Sequence, residues 1–567
     1  MKRTLLLNLA IALLAALFFI PGLGVVRLFD WDEINFAESA REMLVTGDWF
    51  NVRINFEPFW EKPPLFIWMQ ALSMKAFGVN EAAARLPNAI MGIVTLLLLF
   101  NIGRKMEDER FGLLWAMMYG ISFLPFLYFM SGIIDPWFNL FIFLGIYFFS
   151  RYADNDAAGL RMRHAALSAM FIGLAILTKG PVALLIFVLT VAAWLVTHRF
   201  RFSFRWKDVA VWFLVLAVVG GSWFLLLALS GHSDVISDFI AYQIRLFRTK
   251  DAGHGGFLLY HFVILLLGVA PASVFALSTF NPANVKGEGR ANALAGWMLC
   301  AFWVVLILFT IVRTKIVHYS SFCYFPISFL AAFAASRMLD GKLKFRRYHR
   351  ILLIGIAAAY ALVLILLSTF DLYKDRVIPF VHDAFAVSCM QASSNWMGFE
   401  PVVGLVLLGA TIAFCVLFLK NPKACHFAVL AAGNLIFSLT AILSAVPEVE
   451  KYSQASAVDF YIERQGEDCY VQPAYFKSYA QYFYTRRQPQ NNCDDFEWLC
   501  RGPIDKPCYF VVKDNLKDIQ RLRDDAPEAE LLYGRPGFLF LVRKNCQQAP
   551  QQEEGHEQQG GIPENGE

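Results

Sequence analysis

Apolar runs long enough to cross a membrane recur down almost the whole of this 567-residue chain, the first at 5–20 and the last at 427–446. A bilayer core of about 30 Å needs roughly 17–25 apolar residues per helix, and water-starved backbone inside it must satisfy itself as helix or closed barrel. The runs here are blocks rather than alternating residues, which selects helices. About thirteen spans are expected; those at 138–149 and 182–196 fall short of the ruler and should extend into flanking aromatics. Composition agrees, with 57% hydrophobic residues, 17% charged residues and a mean hydropathy of +0.48. A net charge of +4 gives no reason to expect a nucleic acid partner.

Basic residues mark alternate connections: Lys2-Arg3, Arg104-Lys105, Arg151 to Arg163, Arg199 to Lys207, Lys286 with Arg290, Arg337 to Arg350, and Lys420 with Lys423. The excess of Lys and Arg in cytoplasmic loops places all of these inside, with the N-terminus, and an odd number of spans leaves the C-terminus outside. The first span runs into Pro21-Gly22-Leu23-Gly24 without a small-residue cleavage site, so it reads as an uncleaved anchor. Of ten cysteines, Cys389, Cys469, Cys493, Cys500, Cys508 and Cys546 lie in outward segments, where an oxidising compartment would favour disulfides.

Composition changes after Val446. Segment 447–546 is polar and cysteine-bearing, with strand-like bursts at 469–471, 508–512 and 538–542 and helical periodicity at 473–486 and 515–525, a small α/β domain. The Gln-, Glu- and Gly-rich tail 547–567 cannot bury a core and should be disordered. Residues 1–446 form the membrane domain.

Three outward segments are unusually polar: 28–85, 230–256 and 312–321. In the first, FDWDEINFAESAREMLVTGDW gathers Asp30, Asp32 and Glu33 just past the first span, then continues as a helix-compatible stretch expected to lie along the membrane surface. Farther on, Trp60-Glu61-Lys62-Pro63-Pro64 fixes an acid beside a base. Pro63 disfavours helix at Lys62, so the two side chains are expected to diverge and serve neighbouring parts of one site. Asp135-Pro136, Thr178-Lys179-Gly180-Pro181, Arg245 and Arg248 before His254, and Arg313 to Tyr319 repeat the same mixture at other outward turns. Any one is most simply an interfacial or snorkelling residue. Together they suit an anionic lipid phosphate with a carboxylate left as base. A transporter would carry mid-membrane ionisable residues and repeated halves, and neither is visible.

FDWDEINFAESAREMLVTGDW, NFEPFWEKPPLFIWMQALSMKAFGVNEAAARLP, LTKGPVALL and TKIVHYSSFCYFP resemble the signature stretches of polyprenyl-phosphate-sugar transferases of the GT-C fold. The nearest group is the bacterial transferases that move aminoarabinose from undecaprenyl phosphate to lipid A. The resemblance covers 1–335 strongly and the remainder by architecture. It implies an inverting glycosyltransferase of a bacterial inner membrane, with a lipid-linked sugar as donor and lipid A or another glycolipid as acceptor. A protein or glycan acceptor is the alternative. By the same resemblance Asp32 is the catalytic aspartate. Glu61 and His254 are candidate ligands of a divalent metal such as zinc, and Lys62, Lys179 and Arg245 hold the phosphate. Glu33, Asp135, Lys315 and Tyr319 complete the expected substrate site, while Asp30 and His318 receive no role.

Overall fold

The computed structural model describes residues 2–30, 32–59, 61–154, 157–248 and 256–544. The chain divides into two compact units, one of residues 1–380 with 393–453, the other of 381–392 with 454 onward. The expected tail, 547–567, lies outside the described residues.

Each of the thirteen expected spans is helical in the first unit, eleven as one helix and two as bent pairs. Nine helices among the described residues are long and apolar enough to cross a membrane, and two bent pairs raise that to eleven. The spans expected at 138–149 and 182–196 are Asp135–Ala153 and Val182–Thr197, each longer than its apolar run. The bent pairs, Glu109–Gly120 with Phe123–Phe129 (76°) and Tyr260–Gly268 with Ala272–Phe280 (112°), break inside the protein. Their freed carbonyls find partners there. The Ser122 hydroxyl at the first break stands 2.7 Å from the Met118 carbonyl and 3.1 Å from that of Val269 at the second. The most enclosed span, Val317–Leu339, is 89% buried and begins at the polar segment that carries His318 and Tyr319.

The helix Asp32–Thr46, expected as an amphipathic surface segment, is enclosed by protein along most of its length. Residues 33–43 are all buried beneath the helix Leu65–Phe77 and the short hairpin Arg53–Ile54/Glu57–Pro58. It can be buried because its charges are matched internally. Arg41 donates to both Glu38 oxygens at 2.7 and 2.6 Å. Glu42 accepts the backbone amides of Asn55 and Phe56 at 2.6 and 2.8 Å. Those two residues form the hairpin turn with φ of 59° and 62°, the left-handed pair a two-residue turn requires without a glycine to supply it. The buried Glu42 carboxyl group thus holds a strained turn ahead of Glu61 and Lys62.

The second unit is a four-stranded sheet in the order Tyr470–Ala474, Cys508–Lys513, Phe538–Arg543, Glu530–Arg535. The first pair is parallel and the other two antiparallel. The parallel pair needs a crossover, and the helices Ala480–Tyr484 and Phe496–Arg501 lie within it. Phe510, Val511 and Val512 are fully buried in the central strand. The edge strand Glu530–Arg535 was not expected, being mostly exposed and interrupted by Gly534. Cys389, Cys469, Cys493, Cys500 and Cys508 are free thiols in the structure, so the expected disulfides find no pairing among them; Cys546 lies outside the described residues.

Candidate active site

Asp32 opens its helix, and its carboxylate, 43% exposed, meets the His318 ring at 3.3 Å between Oδ2 and Nε2. His318 comes from the 3-10 turn Val317–Cys323, far along the chain. Around this imidazole the other expected residues assemble, for Asp135, Lys179, Asp32 and Lys62 all lie within its electrostatic reach. Five segments, separated by up to 286 residues, therefore meet here.

Asp135 begins the helix Asp135–Ala153, with Pro136 in its first turn where a missing amide hydrogen costs nothing. Its Oδ1 takes the Lys179 ammonium at 2.7 Å and the Ser321 hydroxyl at 3.2 Å. Lys179 ends the helix Ala158–Lys179, and the chain then turns through Gly180 at φ +102°. A side chain at Gly180 would also meet the Phe239 ring at 2.9 Å, so glycine is required there by backbone and neighbour alike. The Lys179 ammonium rests between the rings of Phe138 and Tyr319, at 5.6 and 5.9 Å.

Glu61 and Lys62 do not diverge. The backbone bends at both positions instead of extending, and Lys62 Nζ lies 3.7 Å from Glu61 Oε2. Tyr242 brings them together: its hydroxyl donates to Glu61 Oε2 at 3.0 Å and its ring lies 5.3 Å from the Lys62 ammonium. Arg245, one turn on, covers the same ring at 5.1 Å. Tyr242 escaped the sequence reading because a tyrosine on an amphipathic helix carries no signal of its own. The surrounding helix, Ser233–Arg248, does carry a strong apolar stripe. His318 escaped because only its contact with Asp32 distinguishes it.

Two expected residues stand elsewhere. Glu33 is sealed away, with Arg85 donating to both its oxygens at 2.7 and 2.8 Å and the Gly132 and Phe29 amides completing the set. Arg85 also ties down the Leu23, Val26 and Arg27 carbonyls, so this pair closes the entry to the helix and has nothing left for a ligand. Lys315 is likewise consumed. Its three ammonium donors go to the Phe309, Thr310 and Val312 carbonyls at 2.7–2.9 Å, capping the helix Arg290–Ile311, and burial lowers its pKa. His254 lies outside the described residues. Among the described residues no group of three or more His, Cys, Asp or Glu side chains stands in a ligating arrangement. Glu61 Oε2 takes the Tyr242 hydroxyl and faces the Lys62 ammonium.

The grouping is that of an anion site with an adjoining acid: two ammonium groups, an exposed guanidinium and a half-exposed carboxylate oriented by an imidazole. Comparison with known proteins bears on it. Residues 61–223 match the family model of the dolichyl-phosphate-mannose-protein mannosyltransferases. An undecaprenyl phosphate-alpha-4-amino-4-deoxy-L-arabinose arabinosyl transferase of Shewanella sediminis is 27% identical over 330 residues, 57% of this chain and 59% of the relative. Its counterpart from Edwardsiella ictaluri is 27% identical over 372 residues, 63% of this chain and 64% of the relative. The chain thus aligns with about three-fifths of the length of these relatives. Among solved structures, ArnT from Cupriavidus metallidurans bound to undecaprenyl phosphate superposes with a TM-score of 0.76 at 19% identity, covering 96% of this chain and 99% of the other. The Archaeoglobus fulgidus oligosaccharyltransferase follows at 0.51 and 12% identity, covering 95% and 74%. The chain therefore has the GT-C fold of these membrane transferases.

Proposed function

We propose that this protein is an inverting, polyprenyl-phosphate-dependent glycosyltransferase that moves 4-amino-4-deoxy-L-arabinose from undecaprenyl phosphate to lipid A. The observation that carries this reading is the gathering of Asp32, Lys62, Lys179 and Asp135 around His318. The arabinosyl transferases with which the chain aligns support the choice of sugar and acceptor. The polar group would face the periplasm of a bacterial inner membrane, with the N-terminus cytoplasmic and the domain after Val446 periplasmic.

In this mechanism the donor's phosphate lies against Lys62, Lys179 and Arg245. Each charge-assisted contact contributes about 1.5–3 kcal/mol, most of it as negative charge develops on the leaving phosphate. Asp32, held toward the substrate by His318, accepts the proton of the acceptor hydroxyl as that oxygen bonds to the anomeric carbon. The carbon–oxygen bond to phosphate breaks in the same displacement, inverting the carbon. Asp135 holds Lys179 in place. Glu61 and His254 are the pair proposed for a divalent metal, zinc first, which when bound would add positive charge beside the phosphate.

The match to protein mannosyltransferases favours one rival reading, transfer to a protein or glycan. Mass spectrometry of lipid A decides between them. Cells carrying the wild-type protein should show the added sugar and cells carrying Asp32→Asn should not. Unchanged lipid A together with lost protein glycans would establish the rival.

A further inference from the structure

Away from the polar group lies an apolar cavity of about 1060 Å³ that the proposed reaction does not use. It runs between the helices Val182–Thr197 and Arg290–Ile311, along a wall that includes Ala193, Gly296 and Trp303, and the turn 280–289 closes one end. Trp303 and Ile307 on this wall are 40% and 51% exposed, so the cavity opens toward the surrounding bilayer. Its largely apolar wall suits hydrocarbon better than water.

Charge gathers at the closed end. Lys286 and His198 line it, and Lys286 is exposed with no ion-pair partner among the described residues. His198 stacks on Trp194 at 4.1 Å, with Nδ1 held 2.9 Å from the Trp194 carbonyl, leaving Nε2 as its second hydrogen-bonding atom. The helix Arg290–Ile311 starts there from Gly289 with no side chain capping its first amides. The neighbouring acids are Glu288 and Asp154; Arg290, Arg151 and His198 surround Asp154 and leave the region positive. That helix has 22 residues, about 33 Å, so this end stands a membrane's thickness from Lys315 and the polar group beyond it.

From this juxtaposition we infer that the cavity binds an anionic phospholipid. Its acyl chains lie between the two helices, and its phosphate meets Lys286, His198 and the first-turn amides. A donor chain entering from the reaction side would meet only the apolar wall and gain nothing from cations at the far end. The inference stands independently of the sugar or acceptor proposed above.

The test uses the purified full chain in detergent, offered phosphatidylglycerol or phosphatidylcholine of identical acyl composition, with native mass spectrometry as the readout. Phosphatidylglycerol should be retained about tenfold better, and Lys286→Glu should erase that preference. Gly296→Leu, at a position where an added Cβ meets nothing within 4 Å, should fill the cavity and lower retention of both lipids while sugar transfer continues. Equal retention of the two lipids, or no effect of either substitution in a protein with wild-type melting, would overturn the inference. So would displacement of phosphatidylglycerol by equimolar undecaprenyl phosphate, which would assign the cavity to the donor's chain.

Discussion

Asp32 and Glu33 are neighbours on one helix and do opposite things. Glu33 is 2% exposed, with both oxygens bound to Arg85 and two amides besides, whereas Asp32 is 43% exposed in its side chain and faces a histidine. The difference follows from helix geometry, since successive side chains point about 100° apart and only one of the two can face the interior. A carboxylate sealed with a guanidinium fixes the chain's path, while one left half-exposed beside an imidazole can take a proton. The same division runs through the cations, with Lys315 enclosed by carbonyls and Lys62 set against an aromatic ring at the site.

Substitutions that exchange these roles should give the sharpest contrast. Asp32→Asn should lower transfer by about 10²–10⁴-fold with the melting temperature unchanged, as expected for loss of a general base. Reconstituted turnover and differential scanning fluorimetry on the same sample separate the two quantities. Glu33→Ala should do the reverse, removing about 3–5 kcal/mol of stability by stranding Arg85, and the remaining folded fraction should turn over normally. Lys62→Ala and Lys179→Ala should fall between them, each losing about 1.5–3 kcal/mol of transition-state stabilisation. Their loss should appear in kcat/KM with a lipid-linked donor.

The smallest effect concerns pH. Burial, then the neighbouring Glu38, raises the Glu42 pKa to about 9. The folded protein therefore keeps a proton there that the unfolded chain releases above its ordinary value of 4.5. Folding loses stability as pH rises between those two values, because over that window the native state binds more protons. Glu42→Gln should flatten that slope, measured as melting temperature across pH 5 to about 9. It should also loosen the turn at Asn55 and Phe56, since their amides go to different Glu42 oxygens and glutamine has only one to offer.

Much of this was legible in the sequence because its signals are one-dimensional. Thirteen apolar runs are helical, two of them as bent pairs, and several of the acids and cations at outward turns form one group. What stayed hidden depends on partners distant along the chain. Nothing local distinguishes Glu33 from Asp32 until Arg85 is placed, or Lys315 from Lys179 until the helix end it caps is known. The enclosure of the helix Asp32–Thr46 was hidden because its charges have buried mates, such as Arg41 on Glu38, that its apolar pattern does not announce. Pro63 suggested that Glu61 and Lys62 would separate, but Tyr242, some 180 residues later, draws them together. In the second unit, the exposed strand Glu530–Arg535 lacks the alternation that would have announced it.

The most direct measurement is an experimental structure of the full chain with undecaprenyl phosphate bound. The phosphate should lie within hydrogen-bonding distance of Lys62 and Lys179, on the side of the molecule where Asp32 meets His318. Density for it beside Lys286 instead, at the far end of the helix Arg290–Ile311, would contradict the assignment of the catalytic site.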